Sequence, residues 1–146
     1  MKEARYHALT VADYIIRYSI EKNFSVSNLK LQKILYFVQA QFLVTEDRPC
    51  FKEQIEAWTF GPVVPEVYYE YKFFGSSDIN FVQKNIQENI SSDDKKLIES
   101  MVKECAPYSA SQLVRITHNQ LPWKEAFVEY QNNPISAASI KKFFSE

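Results

Sequence analysis

Residues 55–71, with the sequence IEAWTFGPVVPEVYYEY, decide the fold because they join an extended segment directly to a helix. Gly61 and Pro62 interrupt the extended segment, since both residues favour turns. Pro65 suits the first position of a helix, where its missing N–H leaves no hydrogen bond unmade. The β-favouring residues before Gly61 predict a short strand over residues 54–60. We therefore expect a strand, a glycine-proline turn and then an aromatic helix.

The composition predicts a densely packed helical protein. Hydrophobic residues make up 46% of the 146 residues, and the chain has 11 Phe and 9 Tyr against only 2 Gly. This length suits one compact domain over residues 1–146, with enough chain for a sizeable core. The formal net charge of −1 lacks the basic excess of proteins that bind phosphate backbones, so nucleic acid is disfavoured as a partner.

The cysteines and the amino terminus favour a cytoplasmic protein. Cys50 and Cys105 stand alone, without CxxC or Cys/His ligand spacing, which predicts two reduced thiols and no metal site. The amino terminus has no apolar signal core, and no stretch approaches the roughly 20 apolar residues that cross a bilayer. We expect no cofactor and no membrane contact.

Two amphipathic helices are predicted on the amino-terminal side of residues 55–71. Thr10 is the expected N-cap of the first, and Ser27 of the second. The second helix is apolar around most of its girth and should lie centrally, with an inward stripe formed by Leu31, Ile34, Leu35, Val38 and Phe42. Lys30 and Lys33 point away from that stripe on a helical wheel, so we expect them on a solvated face.

Four more helices are predicted to begin after residues 55–71. Ser91 or Ser92 should cap the first of them, and Ser109 with Gln112 forms a capping box for the second. Pro122 should begin a helix that contains Trp123, Phe127 and Tyr130, and Ser136 should cap the last helix. Ile79 and Phe81 alternate with polar residues, as in a strand pairing with residues 54–60. The sequence thus predicts a mainly α, single compact domain of six or seven helices, with at most a two-stranded hairpin.

Two more motifs lie on either side of residues 55–71: NLKLQKILYFVQA at residues 28–40 and LVRITHNQLPW at residues 113–123. In this order the three motifs resemble the Panacea domain family, also described as the SocA-like antitoxin or phage-associated family. The resemblance covers nearly the whole chain. The matching residues are Leu29, Lys30, Leu31, Gln32, Lys33, Tyr36, Glu56, Ala57, Trp58, Gly61, Pro62, Val63, Val64, Tyr68, Thr117, His118, Pro122 and Trp123.

The resemblance implies an antitoxin-type, non-enzymatic protein-binding module. Such proteins neutralise a cognate protein toxin by direct contact or by delivering it to a host protease. Carried over by position, the partner-binding candidates are Lys30, Tyr36, Trp58, Gly61, Pro62, Tyr68, His118 and Trp123. The toxin, the binding surface and the oligomeric state stay open.

Two alternative functions remain at this point. A hydrolase-like enzyme would need His118 beside an acid such as Glu56 or Glu66, although the sequence carries no nucleophile signature. A phage or prophage regulator that binds nucleic acid would need its basic residues on one face, namely Lys2, Arg5, Lys30 and Lys33. For Trp58 and Trp123 a core position is the default, and exposure would instead indicate an interface.

Overall fold

The structure is a computed structural model that describes residues 1–82 and 88–146. Within these ranges it contains seven α-helices and three strands. They are α1 (Ala8–Glu21), α2 (Asn28–Glu46), β1 (Ile55–Trp58), β2 (Gly61–Val63), α3 (Pro65–Tyr71), α4 (Ser92–Cys105), α5 (Ala110–His118), α6 (Leu121–Ala126), β3 (Asn133–Ile135) and α7 (Ala137–Ser145). The predicted mainly α fold is confirmed, and a 3₁₀ turn at Lys72–Phe74 follows α3.

Helix α2 is the central element of the fold. It begins where the Ser27 side chain accepts a hydrogen bond from the Lys30 backbone N–H, as predicted. Its sides pack against α4, α5, α7 and β2. All members of the predicted inward stripe are fully buried: Leu31, Ile34, Leu35, Val38 and Phe42. The aromatic and aliphatic face of α2 therefore organises the core.

The predicted solvent exposure of Lys30 and Lys33 is wrong. Lys33 is fully buried, and Lys30 is only 6% exposed. The Lys33 ammonium donates to the carbonyl of Pro62, and the Lys30 ammonium donates to the carbonyl of Ala106. Segments distant in sequence cover this side of α2, which a helical wheel cannot anticipate because it shows only one helix.

The small sheet is antiparallel, with the strand order β2-β1-β3. Glu56 in β1 lies opposite Val63 in β2 and opposite Pro134 in β3. The strand predicted around Ile79 and Phe81 is wrong, because the Ile79 N–H bonds to the Val26 carbonyl, away from the sheet. Strand β1 pairs instead with the residues immediately after its own turn and with a strand near the carboxyl end of the chain.

Two helix boundaries also differ from the predictions. Helix α1 begins at Ala8, not after Thr10, because the Glu53 carboxylate accepts the Ala8 N–H at 2.7 Å. Helix α6 ends at Ala126, so Phe127 and Tyr130 lie beyond it. The predicted caps of α4, α5 and α7 are confirmed, and they are Ser91, Ser109 with Gln112, and Ser136.

Cys50 and Cys105 are free and buried. Burial raises the pKa of both thiols, to about 12 for Cys105. Across residues 1–82 and 88–146, no helix is both long and apolar enough to cross a membrane. The same residues hold no group of three His, Cys, Asp or Glu side chains placed to bind a metal ion.

Candidate functional site

The three sequence motifs meet at the turn between β1 and β2. Gly61 has a φ of +103°, a conformation that residues with a side chain rarely adopt. A Cβ at Gly61 would lie 2.6 Å from Cε of Lys33 on α2 and 2.9 Å from Oγ1 of Thr117 on α5. The turn is therefore packed tightly between α2 and α5, and this explains why glycine stands at this position.

Lys33 forms a hydrogen bond to the main chain immediately after the turn. Its ammonium donates to the Pro62 carbonyl oxygen at 3.1 Å. No carboxylate in the described part of the chain forms an ion pair with it, and burial away from water lowers the pKa of Lys33 to about 7. The hydrogen bond from Lys33 thus fixes the segment after the turn, and the ammonium is partly deprotonated at neutral pH.

His118 and Trp123 also contact the turn. Nε2 of His118 lies 2.9 Å from the Thr59 carbonyl oxygen, a contact in which the ring N–H donates. The two rings stack with centroids 4.1 Å apart, and the Trp123 indole N–H donates to the Trp58 carbonyl oxygen at 2.8 Å. Both side chains therefore bond to main-chain oxygens of the β1–β2 segment.

The arrangement needed by the enzyme alternative is not formed. Within the described residues, neither Glu56 nor Glu66 forms a hydrogen bond or ion pair with His118. The Glu56 carboxylate instead accepts the indole N–H of Trp58 at 2.9 Å. Nε2 of His118 bonds to a main-chain carbonyl, and no carboxylate of the described residues bonds to either ring nitrogen, so the acid partner that orients a general base is not formed among these residues.

A chain of side-chain amides links α2 to the segment that leads into α3. Gln32 accepts the Val64 N–H at 2.9 Å and donates to Asn28 at 2.9 Å. Asn28 donates in turn to the Tyr68 carbonyl oxygen at 3.0 Å. These bonds, of which the two made by Gln32 are buried, fix α3 relative to α2. Sequence reasoning missed the role of Asn28, because its partner lies 40 residues away.

An aromatic groove opens beside the braced turn. The rings of Trp58 and Tyr68 meet edge to face with centroids 5.1 Å apart, and Tyr69 lies next to both. Phe60 at the tip of the turn is 63% exposed, and Tyr69 is 61% exposed. The groove has a volume of about 250 Å³ and is lined by Leu29, Gln32, Trp58, Thr59, Phe60, Val63, Tyr68 and Asn132. None of these lining side chains carries a charge.

The predicted partner-binding positions divide into two groups. Lys30, Tyr36, Gly61 and Pro62 are buried, and the Tyr36 hydroxyl donates to Gln120 at 2.8 Å. The half-buried positions are Trp58, Tyr68, His118 and Trp123. Only Trp58 and Tyr68 of the predicted set line the groove. Phe60, which lines the groove, was missed, although an aromatic residue directly before Gly61 and Pro62 is a detectable signal. Tyr69, which contacts Trp58 and Tyr68 without lining the groove, was also missed.

The basic residues named for a nucleic-acid regulator do not form one exposed face. Lys30 and Lys33 are buried inside the fold. Arg5 is exposed but lies 3.5 Å from the buried carboxylate of Asp94. The arrangement required by that alternative is therefore absent from the described residues.

The fold and the site define a helical domain that presents an aromatic groove beside the β1–β2 turn, with Gly61 and Pro62 packed against α2 and α5. The chain belongs to the family described as Antitoxin SocA-like, Panacea domain, whose model matches residues 31–124. It is 34% identical over 129 residues to Antitoxin SocA of Caulobacter vibrioides (strain NA1000 / CB15N), covering 80% of this chain and 68% of that protein. No solved structure matches the chain. The family predicted from the three motifs is confirmed.

Proposed function

We propose that this protein is an antitoxin that neutralises a cognate protein toxin by binding it, and that it acts without catalysis. Membership of the antitoxin family supports the proposal, as does the similarity to a protein named Antitoxin SocA. The structural observation that carries it is the aromatic groove between Trp58 and Tyr68, which lies where the family motifs meet. Trp and Tyr are the side chains most enriched at energetically dominant positions of protein interfaces.

The motif residues fall into supporting and contacting roles in this proposal. Lys33, Gly61 and Thr117 hold the turn in place, and His118 with Trp123 braces its main chain. Trp58 and Tyr68 present their rings to a partner from this rigid support. A surface that is already ordered loses less conformational entropy on binding, which favours affinity. Most of the buried motif positions thus act on binding indirectly, through the shape of the groove.

Two modes of neutralisation are compatible with such a surface. Direct binding would block the toxin in a stable complex, whereas an adaptor would present the toxin to a host protease. The amount of toxin distinguishes the two, because only the adaptor mode lowers its steady-state level. An immunoblot of tagged toxin with and without the protein separates them.

The experiment that tests the function is co-expression in bacteria with the product of the adjacent reading frame. We expect that product to arrest growth alone and the wild-type chain to restore growth. The Trp58→Ala variant should fail to restore growth at equal protein level. Phe73→Ala is the matched control, because Phe73 is an aromatic residue that is 73% exposed but lies outside the groove. An adjacent product that is harmless, or that stays toxic with the wild type, would contradict the proposal.

A further inference from the structure

A single acidic side chain borders the aromatic groove. Glu56 lies directly opposite Val63 across β1 and β2, so both side chains point to the same face of the sheet. Val63 lines the groove, and one carboxylate oxygen of Glu56 accepts a hydrogen bond from the indole N–H of Trp58. The carboxylate is thereby fixed at the edge of the groove.

This carboxylate has no cationic partner within residues 1–82 and 88–146. The ion pairs of these residues involve other acids, and the groove lining contains no Lys, Arg or His. The ammonium of Lys72 lies 5.8 Å from the ring centroid of Tyr69 and forms no ion pair with Glu56, and all three residues lie outside the lining itself. The aromatic faces of the groove therefore lie beside a carboxylate that forms no ion pair with any of the described residues.

Such a combination attracts a cation. The faces of Trp and Tyr rings carry partial negative charge, and Trp is the strongest cation–π acceptor. A guanidinium is planar, stacks on aromatic faces and can donate to a carboxylate at the same time. The strongly hydrated ammonium of lysine is less suited to stacking. The phosphates of a nucleic acid would be repelled by Glu56.

We propose that the groove receives an arginine side chain of the bound protein partner, with the guanidinium stacked on Trp58 and paired with Glu56. The inference rests on the proposed function and specifies its partner: a toxin that presents an exposed arginine at its interface. The groove volume of about 250 Å³ supports this, since it lies below the roughly 300–1,000 Å³ typical of small-molecule sites and suits one side chain.

A titration of the purified full chain with N-acetyl-arginine amide tests the site without knowledge of the toxin. The indole N–H signals of the two tryptophans are followed by NMR. The Trp123 signal should shift less than that of Trp58, because Trp123 lies outside the groove lining and contacts Trp58 only through its main-chain carbonyl. We expect the Trp58 signal to shift with N-acetyl-arginine amide, and not with the uncharged citrulline analogue. The Glu56→Gln variant, which keeps an acceptor for the indole, should lose most of the shift. Equal shifts with both compounds, or no shift of Trp58 up to the solubility limit, would overturn the proposal.

A second experiment separates this inference from the antitoxin function. Glu56→Gln and the exposed control Glu66→Gln are compared with wild type in toxin capture and growth rescue. We expect Glu56→Gln alone to weaken toxin binding by at least about tenfold, the scale of an interface hot spot. Undiminished binding by Glu56→Gln would overturn the arginine site while the antitoxin function stands. If the wild type itself fails to bind the toxin or to restore growth, the proposed antitoxin function is wrong. The inference that the groove binds an arginine of a toxin is then wrong as well.

Discussion

Lys33 and Pro62 are joined by a hydrogen bond from the lysine ammonium to the proline carbonyl oxygen, at 3.1 Å and in a fully buried position. This bond fastens the β1–β2 turn to the central helix α2. Trp58 immediately precedes the turn and Phe60 lies within it, and both line the aromatic groove. The shape of an exposed groove therefore depends on a lysine that has no contact with solvent.

The Lys33→Met variant should change how stability depends on pH. The folded pKa of Lys33 is about 7, below the ordinary value of about 10.4 expected in the unfolded chain. Between these values the unfolded chain binds a proton that the folded chain does not, so Lys33 makes the wild type more stable as pH rises. Below pH 7 both states are protonated, and the penalty of burying the charge is fully present.

Urea unfolding of wild type and Lys33→Met at pH 6, 7.5 and 9 measures this effect. The free energy of unfolding of the wild type should rise relative to the variant across this range, by an amount of the order of a few kcal/mol. Contributions from other titrating groups cancel in the difference. A difference that stays constant with pH would show that the buried lysine has an ordinary pKa.

Gly61→Ala should destabilise the fold by at least about 2 kcal/mol, because the new methyl group would meet Lys33 and Thr117 in addition to a strained backbone. Gly75→Ala is the matched control. Gly75 also has a positive φ, of +59°, but a methyl group added there would meet no atom within 4 Å. Thermal and urea unfolding should therefore show a clearly larger loss for Gly61→Ala, and equal losses would refute the tight packing of the turn.

His118→Phe should retain the stack on Trp123 but lose the hydrogen bond to the Thr59 carbonyl. The expected cost is about 1 kcal/mol of stability, typical of one hydrogen bond. Growth rescue by this variant should persist at a temperature where it is folded. Complete loss of rescue by a folded His118→Phe protein would instead favour a chemical role for the imidazole.

The two tryptophans should behave differently when replaced by alanine. Trp123 packs against the core, stacks between His118 and Phe127, and donates to the main chain of Trp58. Trp123→Ala should therefore cost about 2–3 kcal/mol of stability, below the roughly 3–5 kcal/mol of a fully buried aromatic residue because Trp123 is only half-buried. Trp58→Ala should cost less stability and more toxin binding. A Trp58→Ala protein that unfolds as readily as Trp123→Ala would assign Trp58 to the core.

Local chemistry explains what the sequence predicted well. Ser27, Ser109 and Ser136 cap helices through bonds to residues three positions later, and such bonds need nothing beyond the local chain. The apolar stripe of α2 is likewise set by the helical period. The helix started by Pro65 was found for the same reason. The turn itself falls on Thr59 and Phe60 and not on Gly61 and Pro62, which pair with β1 as the first residues of β2.

Contacts between distant segments explain what the sequence did not reveal. The burial of Lys33 depends on a turn 29 residues away, and the start of α1 depends on a carboxylate from Glu53, 45 residues away. Strand β3 has the sequence Asn-Pro-Ile, whose first two residues disfavour strands. Its pairing with the edge of β1, about 80 residues earlier in the chain, accounts for its extended conformation. The groove was missed as a unit because α2, the β1–β2 turn, α3 and Asn132 each contribute to it.

Toxin binding by the aromatic groove is tested most directly by a calorimetric titration of the purified protein with the purified product of the adjacent reading frame. We expect a stoichiometric complex for the wild type, and binding weakened by at least about tenfold for a folded Trp58→Ala variant. Phe73→Ala should bind as the wild type does. Failure of the wild type to bind, or equal affinity for the wild type and Trp58→Ala, would contradict the assignment of the aromatic groove as the toxin-binding surface.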